Sequence, residues 1–290
     1  MAKLLTGREA ASALIAALHR RTAALAKRGV TPKLAILRCG ENESDGAYLR
    51  SAQQRAARCG VVVEVTSLPE TVSREALLSA INDINCDASV HGCLLLRPLP
   101  AHLRDAEDAI CNRLLPEKDV DGMTDVSAAG VYLGRTAGFA PCTAEAVTVL
   151  LDHYGIDCDG KRAVVIGRSP VVGRPAAMLL LAQNATVTVC HTRTRELSAV
   201  TREADIIVSA AGAAGCLTAA HVRPGQTIID VSANWDAAKN TIVGDADFDA
   251  AVSIVDAITP VPGGVGAVTS TVLMRHVVQA AERTLEGGNL

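Results

Sequence analysis

The stretch AVVIGRSPVVGRP, residues 163–175, decides the fold of the chain's second half. Four apolar residues run into a glycine-containing turn, and the turn opens a helix-forming segment. Gly167 and Gly173, with Ser169 between them, give G-x-S-x-x-x-G. Such a turn brings backbone N–H groups and a helix N-terminus to a pyrophosphate, and the later glycine lets helix and strand approach closely. A glycine pattern alone is weak evidence, because ligand-free strand-turn-helix units use glycine too. The next strand, TVTVC (186–190), sharpens the reading. An NAD site places an acid for the ribose hydroxyls about 20 residues past the glycines. Here the strand ends in CHTRTR (190–195), so His191, Arg193 and Arg195 stand in that place. Arginine suits a 2′-phosphate, which favours NADP over NAD; a solvated basic turn is the rival reading.

Outward from this unit the pattern alternates throughout. Strands are predicted at 163–167, 186–190, 205–210, 227–231 and 253–257 in the second half. In the first half, a helix over 7–28 precedes KLAILR (33–38), a loop over 40–46, a helix over 47–59 and VVVEVT (61–66). A helix over 73–85 and the apolar run GCLLLRPLP (92–100) continue the rhythm. Strands separated by helices imply mainly parallel sheets covered on both faces, hence an α/β fold. At 290 residues the chain is long enough for two lobes. The boundary is placed near Thr136–Pro141, giving a first lobe of 1–139 and a second of 140–267, with a last helix over 268–286.

Composition narrows the function. Only 2% of residues are aromatic and the net charge of −3 is dispersed, so neither base-stacking platforms nor a basic stripe exists for nucleic acid. No apolar run is long enough to cross a bilayer, and the N-terminus is interrupted by Thr6, Arg8 and Glu9 before any signal-peptide core develops. The nine cysteines are odd in number and scattered, with no C-x-x-C pair or zinc spacing. They read as reduced core thiols of a cytoplasmic protein, with no metal site. A small-molecule ligand is expected.

Two more segments stand out. PEKDVDG (116–122) packs Lys118, Asp119 and Asp121 into a turn, and TPVPGGVG (259–266) combines two prolines with three glycines. Each alone reads as a structural turn. Together with YLRSA (48–52), PLP (98–100), PCT (141–143) and the GRS loop, in this order, they make the chain resemble the methylenetetrahydrofolate dehydrogenase/cyclohydrolase family along essentially its whole length. The resemblance implies a catalytic lobe, an NADP lobe, a final helix (268–290) returning to the first lobe, a folate cleft between lobes and a homodimer. It implies that Asp121 recognises the pterin, since one carboxylate accepts two adjacent N–H donors. It gives Tyr48 a place stacked beside substrate, Pro262 and Gly263 the backbone wall of the folate site, and Gly167, Arg168, Ser169 and Ala233 the cofactor contacts, with His191 and Arg193 on the adjoining turn.

The sequence also departs from the family. The pattern Y-x-x-x-K carries the family's catalytic lysine, and here that position is Ala52. The glutamine of V-Q-L-P-L-P is Leu96, followed by Arg97. Ala144, Ala267 and the DVSA strand end depart in the same direction. Hydride removal from an N–CH₂–N carbon needs mainly positioning, because the ring nitrogens stabilise the cation. Hydrolysis of the methenyl product needs protons moved, help worth about 10²–10⁴-fold. The expected function is therefore an NADP-dependent methylenetetrahydrofolate dehydrogenase with weak or lost cyclohydrolase activity. Two alternatives are a paralogue recruited to another pterin or heterocycle, and a silent folate- or NADP-binding protein. Arg55 or Arg97 would be the only rescuers, and arginine is a poor base.

Overall fold

A computed structural model describes residues 1–40 and 43–286, without the side chains of residues 43–45, 47, 48 and 286. The elements begin with β1 (Lys3–Leu4), α1 (Gly7–Ala26), β2 (Lys33–Cys39), α2 (Glu43–Cys59), β3 (Val62–Leu68), α3 (Arg74–Cys86) and β4 (Gly92–Leu95). Then come α4 (Glu107–Cys111), α5 (Asp125–Leu133), α6 (Cys142–His153), β5 (Arg162–Ile166), α7 (Gly173–Ala182), β6 (Thr186–Cys190) and α8 (Leu197–Arg202). The chain closes with β7 (Ile206–Ser209), β8 (Thr227–Asp230), β9 (Asn234–Asp236), β10 (Thr241–Val243), α9 (Phe248–Ala251), β11 (Ala257–Ile258) and α10 (Gly266–Glu286).

One unit comprises Met1–Ser12 with Thr143–Thr269. Its parallel sheet has the order β1-β11-β8-β7-β5-β6, so the chain reverses direction at β5 and opens a crevice at the strands' carboxyl ends. The central strand β7 is buried along its whole length, which is why it reads as a continuous apolar run. Val164, Ile166, Ile207, Ile228 and Ile258 share one core with Leu217 and Val255. Burying each such side chain contributes about 1.5–3 kcal/mol.

The other unit comprises Ala13–Cys142 with Ser270–Leu290. Its parallel sheet has the order β3-β2-β4, with β2 in the middle. Leu77, Ile81 and Ile84, at helical spacing on α3, pack with Leu37, Cys93, Leu95, Leu99 and Ile110. Ser73 starts α3 by accepting a hydrogen bond from Ala76 N at 3.2 Å. The last helix belongs to this unit from Ser270 onward, and Glu282 on it takes a two-pronged ion pair from Arg21 of α1 (2.8 and 2.5 Å).

Residues 1–12 pack with the second-half sheet: β1 adds in parallel beside β11, and Gly7 N donates to Gly263 O at 2.8 Å. A Cβ on Gly7 would overlap the Gly264 carbonyl, so this contact demands glycine. The strand expected at 253–257 is only Ala257–Ile258. The residues before it continue the turn of α9, with Ile254 N and Val255 N both donating to Ala251 O. Among the described residues, no helix is long and apolar enough to cross a membrane.

Candidate active site

The phosphate loop follows β5 directly. Gly167 has φ of 118°, and its N–H donates to Cys190 O at 2.8 Å, tying the turn to the end of β6. A side chain there would overlap the Ala210 carbonyl, and one on Gly173 would overlap the backbone of Gly167 itself. These glycines therefore hold open a backbone cradle at the start of α7, suited to a pyrophosphate. Ser169 Oγ accepts from Val172 N and Gly173 N (3.2 and 3.3 Å), fixing the loop against the helix start, while Arg168 is exposed. Replacing Gly167 by alanine should weaken dinucleotide binding at least about 10-fold, read by titrating NADP into the folded variant, because the backbone must shift to relieve the overlap.

After β6 the turn is braced internally. His191 N donates to Thr194 Oγ1 at 2.9 Å, Thr194 N to His191 O at 2.8 Å, and Arg193 N to His191 Nδ1 at 3.1 Å. His191 thus shapes the turn, and Arg193 and Arg195 are exposed on it. Asp245 is a residue the sequence reading missed. Fully buried, it accepts from Ser209 Oγ, Ala211 N, Ala213 N, Ser232 Oγ and Asn234 Nδ2 at 2.7–3.1 Å. One carboxylate so locks the loops after β7 and β8, including the exposed Ala233. Pro262 and Gly263 are exposed as well, and Thr259 and Val261 line a cavity of about 440 Å³ with Asp230 and Lys239. Burial pushes Asp230 up to about 6, against hydrogen bonds from Ala246 N and Ser232 N.

In the other unit, the KDVDG turn divides its labour. Lys118 Nζ donates to the carbonyls of Ile84 and Asp87 at the end of α3 (2.6 and 2.7 Å), so this lysine is a cap. Asp119, fully buried, accepts from Met123 N, Thr124 N, Thr124 Oγ1 and Ser127 Oγ at 2.6–3.0 Å. It builds the turn. Gly122 has φ of 69°, and a Cβ there would strike the backbone of residues 139–141. That close approach brings the PCT segment against the turn, where the Cys142 thiol donates to Val120 O at 3.3 Å.

Asp121 is half-buried as a residue, but its carboxyl is hemmed in by protein. Burial pushes it up to about 6; Arg97 pulls it down, Asp119 raises it, and Cys142 and His276 lower it. In a continuing strand, alternation would point Arg97 away from the face of Leu96. The strand ends at Leu95, so alternation no longer governs residue 97, and its exposed guanidinium acts on Asp121. Ala52 is buried on α2 and Leu96 is half-buried. Arg55 is half-buried, its pKa lowered by burial and then by Arg58. The Tyr48 side chain and the loop expected over 40–46 fall wholly or partly outside the described residues; α2 itself begins at Glu43.

Each unit matches a known domain. The tetrahydrofolate dehydrogenase/cyclohydrolase catalytic domain matches residues 5–121, and the family's NAD(P)-binding domain matches residues 141–285. The bifunctional protein FolD of Alkaliphilus oremlandii is 44% identical over 280 residues, covering 97% of each chain. That of Carboxydothermus hydrogenoformans is 45% identical over 284 residues, covering 97% of this chain and 98% of the relative. Among solved structures, the bifunctional FolD methylenetetrahydrofolate dehydrogenase/cyclohydrolase of Campylobacter jejuni superposes with a TM-score of 0.93 at 38% identity, covering 98% of this chain and 100% of that one. The Trypanosoma brucei enzyme, complexed with NADP cofactor and inhibitor, gives 0.89 at 34% identity, covering 98% of each. With both domains matched in order and nearly the full length shared, the chain belongs to the tetrahydrofolate dehydrogenase/cyclohydrolase family.

Proposed function

We propose that the protein oxidises 5,10-methylenetetrahydrofolate with NADP and hydrolyses the methenyl product poorly or not at all. The observation that carries this reading is the Asp121 carboxyl, buried and facing the Arg97 charge, in a unit where the positions of the family's lysine and glutamine are Ala52 and Leu96. Asp121 anchors the pterin as an ionised acceptor for two N–H groups. The dinucleotide supplies the hydride acceptor when bound; the chain's part is to cradle its pyrophosphate with Gly167, Arg168, Ser169 and Gly173, and to orient substrate through Tyr48, Leu96, Pro262 and Gly263. Positioning of this kind sustains hydride transfer without a protein acid or base. Hydrolysis has no such route, because Ala52 and Leu96 move no protons.

For the cofactor, Arg193 is the contact to a 2′-phosphate, with Arg195 beside it and Ala233 at the β8 loop. Charge-assisted hydrogen bonds of this kind contribute about 1.5–3 kcal/mol. Arg193→Ala with Arg195→Ala should raise KM for NADP by about 10- to 100-fold and leave KM for NAD nearly unchanged. NADPH formation from 5,10-methylenetetrahydrofolate, followed with each cofactor, tests both the reaction and the preference. Absence of any reduction with either cofactor would refute the reading.

The chain is further proposed to act as a homodimer in the cytoplasm. The outer edge of β3 has no strand partner among the described residues, and Val62 on it is 47% exposed. Such an edge favours pairing with a second copy. The nine free thiols suit a reducing compartment.

A further inference from the structure

The loop after β7, AAGAAG (210–215), carries no side chain larger than a methyl group, so no side chain of its own can fix its shape. It lies against the phosphate loop, for the Ala210 carbonyl is the group that a side chain on Gly167 would overlap. We propose that Ser232 and Asp245 are positioning residues for the nicotinamide half of the dinucleotide, together holding this loop and the turn at Ala233 in binding shape. The inference rests on the NADP reading of the β5 and β6 turns and assigns what orders the far side of that site.

Three successive backbone N–H groups of the loop are taken by this pair. Ala211 N donates to Asp245 Oδ2 at 2.7 Å, Gly212 N to Ser232 Oγ at 3.1 Å, and Ala213 N to Asp245 Oδ1 at 2.8 Å. A hydroxyl can accept and donate at once, and Ser232 Oγ gives its own proton to Asp245 Oδ2 at 2.7 Å. The two side chains therefore act as one unit. Ser209 Oγ and Asn234 Nδ2 complete the shell of the carboxylate at 3.0 and 3.1 Å. All five donors to Asp245 are neutral groups, so each of these bonds is assisted by the acceptor's charge. Asp245 reaches this place because the residue before it is glycine: a Cβ on Gly244 would overlap Asp230 Oδ2. Asp230 in turn accepts from Ser232 N (3.2 Å) and Ala246 N (2.8 Å), which fixes both members of the pair through their neighbouring backbone.

The topology decides which half of the ligand depends on this brace. The strand order reverses at β5, with β6 on one side of it and β7 and β8 on the other. A dinucleotide lies across such a reversal with its pyrophosphate at the first glycine turn. With Arg193 taking the 2′-phosphate beyond β6, the nicotinamide half lies over the loops after β7 and β8. Those are the loops that Ser232 and Asp245 join. The β6 turn is braced separately, through His191 and Thr194. Without the pair, a loop built of alanine and glycine alone would sample many shapes, and affinity would fall with the fraction of molecules in the competent one. Contacts made by the adenosine half would be untouched.

The test is calorimetric titration of NADP, and of adenosine 2′,5′-bisphosphate as its adenosine half, into the wild type, Ser232→Ala, Ser232→Thr and Asp245→Asn. Ser232→Ala should bind NADP about 5- to 20-fold more weakly, the loss of a hydrogen bond to a charged group, and should bind the bisphosphate as the wild type does. Asp245→Asn should lose more NADP affinity, again with the bisphosphate unchanged. Threonine, which keeps the hydroxyl, should restore binding of NADP. If Asp245→Asn does not fold, the alanine and threonine variants at Ser232 make the same comparison. Unchanged NADP affinity in Ser232→Ala, or an equal loss for both ligands, would overturn the proposal by reducing the pair to scaffolding. A wild type that binds neither ligand would instead defeat the NADP reading, and the proposal with it.

Discussion

Asp121→Asn should make the protein more stable at neutral pH while disabling it. The carboxyl of Asp121 is raised from an ordinary 3.8 to about 6, chiefly by burial. Between these two values the native state holds a proton that the unfolded chain has released. Stability therefore falls as pH rises through that window, and the full cost is present at pH 7. A shift of this size corresponds to at most about 3 kcal/mol. Asparagine is close in volume and carries no charge, so it removes the cost and keeps the packing. Its gain in Tm should appear at about pH 7 and vanish near pH 4, where the native aspartic acid is already neutral. Activity should move the other way. Losing a charged acceptor for two N–H donors costs about 1.5–3 kcal/mol, or about 10- to 150-fold in kcat/KM for methylenetetrahydrofolate. Scanning calorimetry at the two pH values and NADPH formation check both halves. A variant less stable at neutral pH, or fully active, would contradict the role given to Asp121.

Ala52→Lys combined with Leu96→Gln should raise methenyltetrahydrofolate hydrolysis well above the wild type, if the proposed function holds. Ala52 is 2% exposed on α2, so a lysine ammonium there would be partly desolvated and its pKa drawn down toward neutrality. That is the condition for a group that gives and takes protons near pH 7. Glutamine at position 96 would add a donor and acceptor to the same unit. Together they should accelerate decay of methenyltetrahydrofolate by about 10²–10⁴-fold. Either change alone should give much less, because groups that act as a unit do not contribute additively. Overpacking at the buried site should cost about 1–3 kcal/mol of stability. Decay of the methenyl absorbance, read on the double and both single variants, measures the effect. No gain in a folded double variant would mean that more than two residues separate this chain from its hydrolytic relatives.

Much of this protein was legible from its sequence because its signals are local. Gly167 and Gly173 mark a turn whose backbone admits no side chain, and β7 is a strand buried on both faces, hence uniformly apolar. The short elements were not legible. β1, β9 and β10 have two or three residues each, too few for any period to register, and the exposed pair Trp235 and Ile242 on the hairpin gives no core face. The packing of residues 1–12 is equally silent in the sequence, since it rests on a two-residue strand and one contact at Gly7. At the site, Asp121 was readable from its motif, but its surroundings were not. Cys142 reads as an apolar core thiol and His276 as one residue of a final helix. They come to the turn that carries Asp121 only through hydrogen bonds to Val120 O across 22 and 156 residues of sequence. The signal that could have found them is Gly122, a glycine directly after the acid, where a tight turn lets another strand of backbone come close.

The central claim is that binding and hydride transfer survive here without efficient hydrolysis. The most direct test measures two rates on one preparation of the wild type: NADPH formation from 5,10-methylenetetrahydrofolate, and disappearance of added 5,10-methenyltetrahydrofolate above the uncatalysed rate. Clear NADP-dependent oxidation is expected, with accumulation of the methenyl product and hydrolysis at or near background. Hydrolysis that keeps pace with oxidation would contradict it.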